Sequence, residues 1–179
     1  MDDPRLTPQW YVLHTRSRHE AVVHDGLQKK SMEVFLPRVK VRSTRRDRKA
    51  MIHVPLFPGY LFIRTDLQPR THTDVLKTAG VVRLIGTSQG PVPVPAETVQ
   101  SLMIMVAAEK PITTGSALRP GDRVMVVRGP FAGVTGAFAR YRNQGRVIVN
   151  IEALGQYAAV EVDEADIEIL PPVLLKPFS

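Results

Sequence analysis

Cysteine is absent from the 179 residues. No disulfide framework, thiolate metal site or cysteine nucleophile can be built, and a reducing cytoplasm is the expected home. No apolar run approaches the ~20 residues that a membrane-spanning helix needs. The opening Met1-Asp2-Asp3-Pro4 is acidic and polar, unlike a secretory leader. Acidic residues are in short supply: 17 Asp and Glu face 24 Lys and Arg, leaving +7. Residues 1–109 hold 16 basic and 10 acidic side chains, and residues 110–179 hold 8 and 7. The excess therefore sits in the first part of the chain, where it favours a polyanionic partner or marks a soluble protein of high pI.

Chemistry-bearing constellations are also missing. "GPFAGVTG" at 129–136 is rich in glycine but lacks the Lys-Ser/Thr of a phosphate loop, and its glycines read as turn residues. His14, His19 and His24 are five apart, a spacing that points them to different faces of a helix rather than to one metal. The acidic run Glu161 to Glu168 alternates with Val162, Ala165 and Ile167, as a strand with one wet face would. The chain is not expected to be an enzyme, and no cofactor is implied.

Hydrophobic periodicity gives an order of elements. Trp10 to His14 reads as a strand and residues 18–32 as a helix, with Val23 and Leu27 on one face and Gly26 within it at a cost of ~1 kcal/mol. Val34 to Arg42 reads as a second strand that puts Arg38, Lys40 and Arg42 on one side; the basic turn "STRRDRK" follows. Met51 to Thr65 is a third strand broken at Pro58-Gly59. A short helix over 71–79, a strand over 81–85, a hairpin-like "TSQGPVPV" and a helix over 96–109 complete the first part. This β-α-β-β-α-β order predicts an α+β, ferredoxin-like domain, an antiparallel sheet with helices on one face. "EKPITTGSALRPGD" reads as a linker, and the short strands beyond it as a small all-β barrel. The expected division is a domain over 1–109, a flexible linker over 110–120 and a barrel over 121–172.

Within "VPLFPGYLFIR", Leu61 and Ile63 share one face, suited to the helices, while Tyr60, Phe62 and Arg64 share the other. With Phe57 and Pro58 these aromatics either form ordinary core or stand on the open side of the sheet as a protein-binding patch. The basic residues around the first helix, Arg16, Arg18, Lys29 and Lys30, and those of the second strand and its turn read as a phosphate footprint or as a charged, soluble tip.

Three stretches carry a resemblance. "QWYVLHTRSRHE" at 9–20, "PLFPGYLFIR" at 55–64 and "GVVRLIG" at 80–86 resemble the amino-terminal domain of NusG-type transcription elongation factors. "PGDRVMVVRGPFAGVTGAF" at 120–138 resembles the KOW motif that follows in the same family, an SH3-like barrel. The resemblance implies a bacterial cytoplasmic factor that binds the clamp helical hairpin of RNA polymerase through Phe57, Pro58, Tyr60 and Phe62. It implies a closed clamp and suppressed pausing. Thr71, His72 and Thr73 match in spacing the polar triplet with which the RfaH-like paralogs touch the opposite side of the channel. Arg16, Lys29 and Lys30 match their contacts to the non-template DNA strand, although Gly26 and Ala79 depart from that pattern. Phe131, Val134 and Leu154 match positions at which the second domain meets termination factor Rho or a ribosomal small-subunit protein. The expected function is therefore a specialised antiterminator of this family. The alternatives are a housekeeping member that supports Rho-dependent termination and an RNA-binding, ribosome-associated KOW protein. In the specialised paralogs the second domain can also fold as a helical hairpin; here "RVIVNI" and Gly129, Gly133, Gly136 and Gly145 favour strands.

Overall fold

The computed structural model describes residues 6–46, 49–116 and 121–171. Asp47 and Arg48 of the basic turn, residues 117–120 of the expected linker and residue 172 at the expected barrel boundary lie outside them. The chain divides into two compact units, residues 1–99 with 151–155, and residues 100–150 with 156–179.

In the first unit, β1 (Gln9–Thr15), β2 (Glu33–Phe35), β5 (Tyr60–Thr65) and β6 (Val81–Leu84) form one sheet in the order β2-β5-β1-β6, every neighbouring pair antiparallel. α1 (Glu20–Lys29) and α2 (Pro69–Leu76) supply Val23, Leu27 and Val75 to a core with Tyr11, Leu13, Leu36, Leu61, Ile63 and Leu84. The period of two in β1 and β5 thus sends Tyr11, Leu13, Leu61 and Ile63 to the helices, as the pattern predicts. Gly26 is explained by packing: a Cβ there would lie 3.0 Å from the Thr78 methyl, so α1 approaches the end of α2 closely.

The expected second strand is cut in two, because Pro37 has no N–H to donate. After it comes β3 (Arg38–Arg42), which pairs antiparallel with β4 (Met51–Pro55) in a two-stranded sheet of its own. The hairpin-like extension is present as β7 (Gly86–Thr87) and β8 (Gly90–Pro91), and β9 (Pro93–Val94) then pairs with β1. α2 begins at Pro69, with Gln68 as N-cap, two residues before the start expected from the sequence.

α3 (Ala96–Ala107) is followed by β10 (Thr113–Ser116), β11 (Arg123–Val126), β12 (Thr135–Tyr141), β13 (Gln144–Ile151), β14 (Gln156–Val162) and β15 (Ile167–Ile169). They form a six-stranded antiparallel sheet in the order β10-β14-β13-β12-β11-β15. Among the described residues from 113 onward there is no α-helix, in line with the strand reading. Two boundaries need correction. Thr113–Ser116 of the expected linker is a strand bonded to Gln156–Ala159, so that part of it is sheet. The division between units falls at Val99/Gln100, inside α3, rather than after residue 109. Within the second unit, buried Ser101 on α3 accepts from the Thr135 amide at 3.1 Å through its Oγ, which ties the helix to β12.

Candidate functional site

The Phe57-Pro58-Gly59-Tyr60 stretch is a turn. The Tyr60 amide donates to the Phe57 carbonyl at 3.1 Å, and Gly59 has φ +85°. Proline at the second position and a residue with positive φ at the third are what a type II turn demands, and glycine adopts that φ without strain. Two further bonds hold it. The Gly59 amide donates to Oε1 of buried Glu20 at 2.7 Å, and its carbonyl accepts from the Thr15 amide at 2.8 Å. Glu20 lies 39 residues away on α1, so no local signal in the sequence assigns it this role.

The turn delivers the four expected clamp-binding residues to different environments. Pro58 is exposed and Tyr60 half-buried. Tyr60 pairs across the strands with His14, and the rings stack at 5.0 Å and 24°. Phe57 and Phe62, expected on an open face, are buried at 1% and 0% exposure. Phe62 stands between Phe35 and Val12 in one cross-strand row and stacks on Phe35 at 6.0 Å. The signal was present: Trp10 to Leu13 and Leu61 to Ile63 are uninterrupted apolar runs, the mark of strands buried on both faces rather than one.

The three residues expected on DNA also separate. Arg16 is exposed just after β1, its amide bonded to the Gly80 carbonyl at 2.8 Å, and Lys29 is exposed at the end of α1. The Lys30 ammonium instead donates to the Asp74 carbonyl at 2.8 Å and the Thr78 hydroxyl at 3.0 Å. It serves as a cationic cap on the last turn of α2, where unpaired carbonyls and the negative end of the helix dipole meet. Lys30→Ala is therefore expected to cost about 1 kcal/mol in urea unfolding, whereas Lys29→Ala stays within about 0.5 kcal/mol. Equal midpoints for the two variants would remove the capping role. In α2, Thr71 and His72 are half-buried and Thr73 is exposed, its hydroxyl donating to the Pro69 carbonyl at 2.8 Å.

In the second unit Phe131 and Val134 are buried, at 6% and 0% exposure. Phe131 nevertheless lines a cleft of about 470 Å³ together with Val126, Ala159, Val162, Arg128 and Asp163. Leu154 is half-buried in a 3-10 turn that belongs to the first unit. The acidic run is structural. Glu161 pairs with Arg146 at 3.5 Å, Glu164 with Arg140 at 2.6 Å and Asp166 with Arg128 at 3.3 Å. Glu164, as hydrogen-bond acceptor and as neighbouring negative charge, raises the pKa of the Arg140 guanidinium. These pairs occupy three of the second unit's arginines.

The family model described as "Transcription termination factor nusG" matches residues 8–103. The chain belongs to the NusG family. The protein named transcription termination/antitermination protein NusG from Thermus thermophilus is 31% identical, over 88% of this chain and 96% of its own. The protein of the same name from Deinococcus radiodurans is 27% identical, over 88% and 97%. Among solved structures, "Domain interaction in Thermotoga maritima NusG" has a TM-score of 0.53 at 22% identity, covering 93% of this chain and 99% of that one. That likeness concerns the fold, and it agrees with a mixed α/β chain built on antiparallel sheets. Among the described residues no helix is long and apolar enough to cross a membrane. This NusG-family chain thus has a candidate surface around Pro58, Tyr60 and His14, on a turn fixed by Glu20.

Proposed function

We propose that this NusG-family protein is a cytoplasmic transcription elongation and antitermination factor that binds RNA polymerase at the clamp helical hairpin. The observation that carries the reading is the Phe57–Tyr60 turn in a chain of this family. A proline and a stacked tyrosine are presented at the end of β5, and the turn's backbone is held by Glu20 and Thr15. A preorganised aromatic rim lowers the ordering cost of binding. The contact is carried by Pro58 and Tyr60, with Phe57 and Phe62 beneath as support. The strand order β2-β5-β1-β6 suits a ferredoxin-like domain, and the six-stranded sheet suits an SH3-like KOW barrel. Bridging the channel between this turn and Thr71, His72 and Thr73 on α2 would favour the closed clamp over the paused state, which is differential binding to one of two conformations. Arg16 and Lys29 would meet the non-template strand. The cleft beside Phe131 would receive Rho or a ribosomal small-subunit protein.

Retention on stalled elongation complexes tests the reading. Tyr60→Ala is expected to lower affinity about 30-fold, the loss of an interface anchor worth about 2 kcal/mol, on every template. Wild-type retention by that variant would overturn the assignment. A housekeeping role is favoured by the relatives' names, which join termination to antitermination. Binding of Rho by the full-length protein decides for it, and its absence for the specialised branch. An RNA-binding role for the second unit is disfavoured by its paired arginines.

A further inference from the structure

One charged side chain beside the aromatic pair has no role in these contacts. The register pairs His14 with Tyr60 on β5 and with Arg83 on β6, so the three side chains stand in one row on one face of the sheet. Two rows further along β1, the same face carries Trp10 opposite Arg64, which is itself opposite Glu33. Arg64 is neutralised there, with its guanidinium 3.2 Å from the Glu33 carboxylate. Arg83 has no such neighbour. It is exposed, and no described residue forms an ion pair or a side-chain hydrogen bond with its guanidinium. The chain thus supplies an acid to one arginine of this face and none to the other. An unpaired surface arginine is ordinary by itself. Beside an exposed proline and a stacked tyrosine it completes the composition of an interface anchor.

We propose that Arg83 is a specificity-determining residue of the polymerase-binding surface and pairs with a carboxylate on the clamp helical hairpin. The inference rests on the clamp reading and deepens it. Adjacent strands lie about 4.8 Å apart, so two spacings put Arg83 about 10 Å from Tyr60 along the row. A protein segment that covers Tyr60 therefore reaches Arg83 as well. Desolvating a guanidinium without an opposite charge is costly, so the segment must bring one. An α-helix rises about 1.5 Å per residue, and about 10 Å along its axis is about seven residues, or two turns. The helix that fits this row lays an apolar side chain over Pro58 and Tyr60 and an Asp or Glu about seven positions away on the same face. A carboxylate matches the fork of the guanidinium with two parallel hydrogen bonds, which a lysine cannot reproduce. A nucleic-acid strand fits less well. The His14 and Tyr60 rings stack on one another at 5.0 Å and 24°, so each already has one face covered, whereas unpaired strands are held by bases stacked on free aromatic faces as well as by charge.

Binding of the full-length protein to core RNA polymerase free of nucleic acid tests the inference, because no phosphate can then stand in for the carboxylate. Arg83→Glu is expected to weaken binding about tenfold or more, and Arg83→Gln by less. Arg64→Gln, at a position already paired within the chain, leaves the affinity unchanged. Among polymerases in which each acidic residue of the clamp hairpin is changed to lysine in turn, one restores the binding of Arg83→Glu. Far-UV circular dichroism verifies that each variant is folded. Loss of binding by Tyr60→Ala together with wild-type affinity of Arg83→Glu overturns this inference and leaves the clamp reading standing. Wild-type affinity of both variants overturns both. A loss by Arg83→Glu on elongation complexes but not on core polymerase assigns the guanidinium to a phosphate and overturns the inference. So does an equal loss by Arg64→Gln, which makes the effect one of general charge, or the failure of every lysine variant to restore binding.

Discussion

Replacing Phe62 with alanine is expected to destabilise the first unit by about 3–5 kcal/mol. The ring is fully buried on central strand β5, between Phe35 and Val12, and its stack on Phe35 is lost with it. Transfer of a buried aromatic side chain contributes about 2–3 kcal/mol, the unfilled cavity adds to that, and an aromatic pair contributes about 0.5–1.5 kcal/mol more. Trp10 is the chain's one tryptophan and lies on neighbouring β1, so its fluorescence in guanidinium follows this unit. The contrast with Tyr60→Ala is the informative part. Tyr60 is half-buried beside His14, and its loss should cost no more than about 1–2 kcal/mol of stability while weakening the proposed polymerase contact about 30-fold. If Phe62→Ala unfolds at the wild-type midpoint, the ring is a surface anchor and its burial is not a property of the protein in solution.

Gly136→Ala is the second change with a large expected effect, about 3 kcal/mol, at the upper end of overpacking costs. Gly136 lies within β12, not in a turn as its place among "GPFAGVTG" suggested. A methyl group there would sit 2.3 Å from the Ile148 carbonyl oxygen and 2.9 Å from its carbon. Both are backbone atoms of β13, so relief requires the β12–β13 ladder to open. Amide hydrogen exchange over Ala137–Tyr141 and Gln144–Ile148 is expected to accelerate together, because the ladder opens as one unit. Unchanged protection at those amides would mean that the strands give way locally, and the glycine would then be a matter of sequence rather than of packing.

The alternation of Leu61 and Ile63 against Tyr60 and Phe62 was legible, because a pleated strand sends successive side chains to opposite faces whatever surrounds it. So were the break at Pro58-Gly59, the hairpin after Gly86 and the strands beyond residue 121, since proline and glycine act locally through φ and the missing donor. The family, too, was legible from its motifs. Which face of the sheet was covered was not: periodicity separates two sides of a strand but cannot say whether one or both are buried. The apolar runs around Val12 and Phe62 hinted at both.

Long-range partners lay beyond the sequence altogether. Glu20 as the acceptor for the Gly59 amide, Lys30 as the cap of α2 and Ser101 as the bond to Thr135 link residues 34 to 48 positions apart. Such pairs arise from how elements pack, and a side chain's local propensity carries no trace of its distant neighbour. Sequence alone set the charge of the β3–β4 ribbon and the conformation of the Pro-Gly turn, because charge and φ are properties of the residues themselves. Tertiary structure alone decided that Lys30 is engaged while Lys29 is exposed, and that Phe62 is core while Tyr60 remains at the surface. Burial and hydrogen-bond partnership exist only once the chain has closed on itself.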